Sequence, residues 1–173
     1  AYFLKYYPRT PITLFSRILI KTDIVRGFDP DQIDTNMISF DELISLLASL
    51  GGNVGFQEKP VCKHRLNPMG YSKSSDLKIL MRDLDFILIP YQVAKERDLF
   101  PAAVLERWKL TMLHKAFRGT YTKLLKEKSY SDFAVYHAFT KKISARAARK
   151  ALLSMSVLKR LLISKMAIGL HEP

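Results

Sequence analysis

Between Pro101 and Lys126 apolar side chains recur at helical spacing with no interruption, and a helix is the only regular structure that spacing fits. Proline is tolerated at the first helical position, so Pro101 marks the start. Leu105, Trp108 and Met112 share one side of the helix. Leu110, Leu113, Phe117, Tyr121 and Leu124 share an adjacent one. Together they cover more than half of the circumference, which predicts a central helix with several neighbours, leaving Arg107, His114 and Arg118 on an exposed strip.

The same periodicity organises the rest of the chain. Thr10 and Pro11 open a short helix that runs to Lys21 or Val25. Ser39 with Glu42 three residues later has capping-box spacing, and Leu43, Leu46, Leu47 and Leu50 form the stripe of the helix that follows. A helix over 75–88 stops before Pro90, with Leu77, Leu80, Met81, Leu84 and Leu88 facing the core. Ser129 with Asp132 is a second capping-box spacing, opening a helix with Phe133, Tyr136, His137 and Phe139. The last helix runs from Ser144 to Ile168 on the stripe Ala148, Ala151, Leu152, Met155, Leu158, Leu162 and Met166. No strand pattern is present. The expectation is an all-α, irregular helical domain of about six helices, with an extended N-terminal arm over 1–9 and a long central loop over 52–74. At 173 residues the chain buries enough surface for a core without disulfides or metals, and its lone Cys62 permits no internal bridge.

Charge divides the chain. Residues 1–60 hold 6 basic and 7 acidic side chains, whereas residues 61–173 hold 22 and 9. No Asp or Glu lies between Phe133 and His171. The sequence is therefore read as a helical N-terminal module over 1–60 and a basic helical region over 61–173, or as one domain containing both. The positive field favours a polyanion: RNA, DNA, anionic lipid or an acidic protein surface. Lys141, Lys142, Arg146, Arg149, Lys150 and Arg160 are the candidate polyanion-binding residues, with Tyr136 and Phe139 assigned to the core rather than to base stacking. The longest uncharged stretch, Leu43 to Gln57, contains three glycines and falls short of the ~20 apolar residues that span a bilayer. No transmembrane helix is expected.

The segment Phe28 to Gly51 reads FDPDQIDTNMISFDELISLLASLG and resembles a degenerate EF-hand, the calcium loop and exiting helix of calmodulin-like proteins. With Glu42 at the twelfth position, Asp31 opens the loop. Thr35, the Met37 backbone and Ser39 fall at ligand positions, and Ile38 at the family's isoleucine. Asn36 replaces the bend glycine and Ile33 stands where the family has a carboxylate, so the resemblance implies a loop with too few charged oxygens and no bound calcium.

No catalytic constellation is legible. Cys62 and His64 supply two metal ligands where structural zinc needs four. Gly51-Gly52-Asn53-Val54-Gly55 follows a helix and lacks the lysine of a phosphate loop. Asp83 and Asp85, two apart, point different ways on a helix. Neither a cofactor nor a metal is expected. The residues suit a non-enzymatic subunit of a large assembly with other protein subunits as partners, most naturally a mitochondrial ribonucleoprotein of ribosomal type that touches RNA through its C-terminal helices. An opening at Ala1 rather than Met fits a removed import presequence. An accessory subunit of a mitochondrial inner-membrane complex and a calmodulin-like adaptor are the alternatives.

Overall fold

In a computed structural model of the chain the described residues are 22–26, 44, 46, 48 and 76–169. They are overwhelmingly helical, with no strand among them. The helices are α1 (Thr22–Arg26), α2 (Leu77–Arg82), α3 (Asp85–Glu96), α4 (Ala102–Lys126), α5 (Tyr130–Leu152) and α6 (Met155–Gly169), of which the last four are long. The fold class is all-α, as the periodicity requires. The arm, the central loop and the EF-hand-like residues Asp31, Thr35, Ser39 and Glu42 lie outside the described residues, as do Cys62 and His64.

The chain divides into two compact units, Ala1–Ser74 with Asp85–Leu105, and Ser75–Leu84 with Glu106–Pro173. In the first unit, Ile44 and Leu46 are helical and buried. Here the structure departs from the sequence expectation at Pro90. The segment 75–88 is not one helix: α2 ends at Arg82, and α3 starts at Asp85 and runs through Pro90. A proline inside a helix removes one backbone hydrogen bond. Its ring is fully buried, along with Ile87, Tyr91 and Ala94 on the same side, and that burial offsets the loss. The end of α3 is a Schellman cap, in which Asp98 takes a positive φ of 48°, its N–H donates to Lys95 O (3.2 Å) and Leu99 N–H donates to Ala94 O (3.0 Å).

The second unit is built on an antiparallel pair. α4 ends as α3 does, with Lys128 at φ 59° and Ser129 N–H donating to Leu124 O (3.0 Å). Only three residues then separate it from α5. Ser129 sits at the N-cap of α5, but its side chain bonds to nothing there, contrary to the capping-box expectation. Its backbone, at ψ 67°, is committed to closing α4 and does not aim the hydroxyl at the α5 amides. By contrast, Asp76 caps α2 as a short acidic side chain should, accepting from Lys78 N–H at 2.8 Å.

Tyr121 is the hub of this core. It stacks on Phe117, meets Phe133 and Tyr136 edge-on at 5.2 and 6.0 Å, and is fully buried. Its hydroxyl closes a polar ring with His137 Nδ1 (2.8 Å) and Thr140 Oγ1 (2.5 Å), while the Thr140 hydroxyl donates to the His137 carbonyl (2.9 Å). One proton arrangement satisfies all three. Thr140 donates to the carbonyl, Tyr121 therefore donates to Thr140, and His137 Nδ1–H donates to the Tyr121 oxygen. Burial, then Lys141, holds the His137 pKa below 6.5. The unfolded chain therefore takes up the proton first, and this contribution to stability is complete above pH 6.5 and falls as pH drops below it. Thr140→Val leaves the Tyr121 donor without its acceptor. It should cost about 1–3 kcal/mol, read as a lowered midpoint in urea unfolding.

α5 is two helices joined at a kink. Ser144 has φ −159° and ψ 97°, and its Oγ accepts from Ala147 N–H at 3.3 Å, so it caps the second half. The expected start at Ser144 is thus present as a kink inside α5. The expected continuous helix to Ile168 is not, because the chain breaks at Leu153–Ser154. There is no glycine or proline at the break. Instead the Ser154 hydroxyl donates to Ala151 O at 2.7 Å and competes for that carbonyl. The break changes the phase of the apolar stripe. Ala148 and Ala151 are buried as expected, but Val157 takes the inward position on α6, while Met155 and Leu162 turn outward.

Candidate nucleic-acid interface

The second half of α5 packs through Ala147, Ala148 and Ala151, whose small side chains are buried. The adjoining face carries Ala145, Arg146, Arg149, Lys150 and Leu153, one to four residues apart in the i, i+4 register that aligns side chains along a helix. These residues, with Ser154, Met155 and His114 of α4, line a shallow groove on the second unit. Arg146, Arg149 and Lys150 are exposed, and none of them forms an ion pair among the described residues. Leu153 and Met155 give the groove an apolar rim.

His114 reports the electrostatics. Its pKa is lowered first by burial, then by the positive charges of Lys150, Arg118 and Lys115. Two cations of α4 therefore act on the same point as a cation of α5. The exposed strip expected on α4 is corrected in this respect: Arg107 and Arg118 are exposed, whereas His114 is half-buried. With its pKa lowered, His114 is neutral near pH 7 and can accept or donate one hydrogen bond beside the cations.

The other sequence-based candidates lie elsewhere. Lys141 and Lys142 are exposed on α5 before the kink, where Lys141 acts on His137. Arg160 is half-buried on α6 and does not line the groove. Tyr136 and Phe139 do not form a stacking platform. Tyr136 is fully buried, its phenol pushed up to about 12 by burial and only partly brought back by Thr120, and Phe139 is half-buried 6.1 Å from its ring. Among the described residues no three of His, Cys, Asp and Glu come together as metal ligands would. Arg118 and Lys115 act on the His114 imidazole but do not line the groove. The sequence does not show that His114 meets α5, because periodicity on one helix says nothing about which neighbouring helix it faces.

Exposed guanidinium and ammonium groups grouped in this way suit an anion. Guanidinium groups bind phosphate oxygens two at a time, and lysine acts as a point charge beside them. No family model matches the chain, and neither a curated protein nor a solved structure shows significant similarity to it.

Proposed function

We propose that the chain is a non-enzymatic structural subunit of a large assembly that holds RNA by its phosphate backbone, a mitochondrial ribonucleoprotein of ribosomal type being the concrete case. The observation that carries this is the convergence of Arg146, Arg149 and Lys150 in one groove beside His114, whose pKa Arg118 and Lys115 also lower, with no carboxylate in the sequence from 134 to 170. Phosphate contacts fix position and carry no sequence information, which suits a scaffold protein. In this proposal Lys141 and Lys142 extend the positive path along α5. The arm over 1–9 and the connection over 52–74 reach neighbouring subunits in an irregular fold of about six helices.

One observation favours a second function, that of an accessory subunit of a mitochondrial inner-membrane complex. Next to the groove, α6 exposes Met155, Leu162 and Ile163, an apolar row that a neighbouring subunit of such a complex would cover. No helix among the described residues is long and apolar enough to cross a membrane. Sedimentation of the native assembly separates the two. A ribonucleoprotein subunit moves from heavy fractions to light ones after ribonuclease. A membrane-complex subunit keeps its position after ribonuclease and moves only when detergent disperses its complex, and that result would replace the first proposal with the second.

A further inference from the structure

Helix α6 has two apolar faces, and its own fold uses one. Val157 points inward and is fully buried. On the outward side Met155, Leu162 and Ile163 are 81, 62 and 56% exposed, and with Leu158 and Lys159 they line a shallow apolar groove of their own. Single exposed apolar residues are ordinary on a protein surface, but a contiguous row is not. Positions 155, 158, 159 and 162 stand at i, i+3, i+4 and i+7. This is the repeat by which one helix receives another, knobs from each entering the spaces of its partner.

Lys159 decides what the row receives. About 100° per residue places it between Met155 and Ile163, inside the apolar row and not at its edge. It is exposed and has no ion-pair partner among the described residues. If the row lay on a bilayer, the ammonium would be carried to the acyl boundary from the middle of the buried face. Helices of that kind keep their cations on the opposite face. If the row met a second copy of this chain, Lys159 would face a like-charged surface on a protein of net charge +12. A partner helix with its own apolar row flanked by Asp or Glu meets both requirements, covering Met155 and Leu162 and neutralising Lys159.

We infer that the outward face of α6 is the docking seam for an acidic amphipathic helix of a partner protein. The inference does not depend on the RNA proposal, because the seam and the basic groove share only Met155.

The test uses the purified full chain and a labelled synthetic helix of three heptads, with leucine at the core positions and glutamate flanking them. A second peptide of identical composition has its leucines scattered around the helix. By fluorescence anisotropy the first should bind about tenfold or more tightly than the second, as expected for an apolar contact added to equal charge. Leu162→Ser with Ile163→Ser keeps the charge of the protein and should erase that difference, and Lys159→Glu should weaken the first peptide about tenfold or more. RNA binding by the Leu162→Ser/Ile163→Ser protein should be unchanged. The inference is overturned if the two peptides bind alike, which would mean charge attraction alone. It is also overturned if the row instead mediates binding to phosphatidylserine vesicles, dimerisation seen by sedimentation, or RNA binding, any of which the double variant would abolish.

Discussion

Replacing Arg146, Arg149 and Lys150 together with glutamate is expected to weaken the binding of single-stranded RNA by about a hundredfold or more in moderate salt. On the RNA proposal the substitutions remove three phosphate contacts and place three carboxylates in the same groove, so the attraction is lost and a repulsion is added. The effect should be similar for RNAs of different sequence, because contacts to phosphate do not distinguish bases. Stability should change little, within about 0.5 kcal/mol, since all three side chains are exposed and none holds an ion pair among the described residues. The His114 pKa should rise, because a positive charge that lowers it is replaced by a negative one at Lys150. Electrophoretic mobility shift, urea unfolding and NMR titration of the imidazole check the three expectations separately. A protein that keeps its affinity after the triple reversal does not bind RNA in this groove.

The second large effect is on folding. Phe117→Ala should destabilise the second unit by about 3–5 kcal/mol, a substantial part of the 5–15 kcal/mol typical of a domain. Phe117 is fully buried and stacks on Tyr121 at 6.5 Å, and Tyr121 in turn supports Phe133, Tyr136 and the polar ring with His137 and Thr140. A cavity at Phe117 therefore loosens the side chain on which the α4–α5 pair is organised. Trp108, buried in the same unit, provides the fluorescence signal for the urea transition. The midpoint should fall further than for Thr140→Val, because Phe117→Ala opens a cavity whereas Thr140→Val only removes a hydrogen-bond acceptor.

The fate of individual residues shows how far the sequence determines this fold. α4 is legible almost to the residue, because Pro101 opens it and nothing interrupts its apolar spacing before the cap at Lys128. Pro90 misleads for an opposite reason. Its local effect is to end a helix, but a fully buried ring is a tertiary contribution that no local rule contains. The break at Leu153–Ser154 is hidden because a serine hydroxyl makes it, and serine is common in helices. Once that break is missed, the phase at the start of α6 is misassigned, which is why Met155 and Leu162 read as core and Val157 does not.

The groove is half legible on the same terms. The absence of acidic residues between Phe133 and His171 points to Arg146, Arg149 and Lys150 without any structure. That His114 meets Arg146, Arg149 and Lys150 follows from the pairing of α4 with α5, which the Schellman cap at Lys128 and the three-residue connection bring together. Lys141, Lys142 and Arg160 have the same charge, but the kink at Ser144 and the break at Ser154 separate them from the groove.

The most direct measurement is the affinity of the full chain for single-stranded RNA as a function of salt, made on the natural sequence and on the triple charge reversal. About four or five phosphate contacts, at roughly 0.7 counterions each, give a slope of log affinity against log salt near −3. The natural protein should show that slope, and the variant should lose most of it. A slope near zero, or the same slope in both proteins, would contradict an RNA site at Arg146, Arg149 and Lys150.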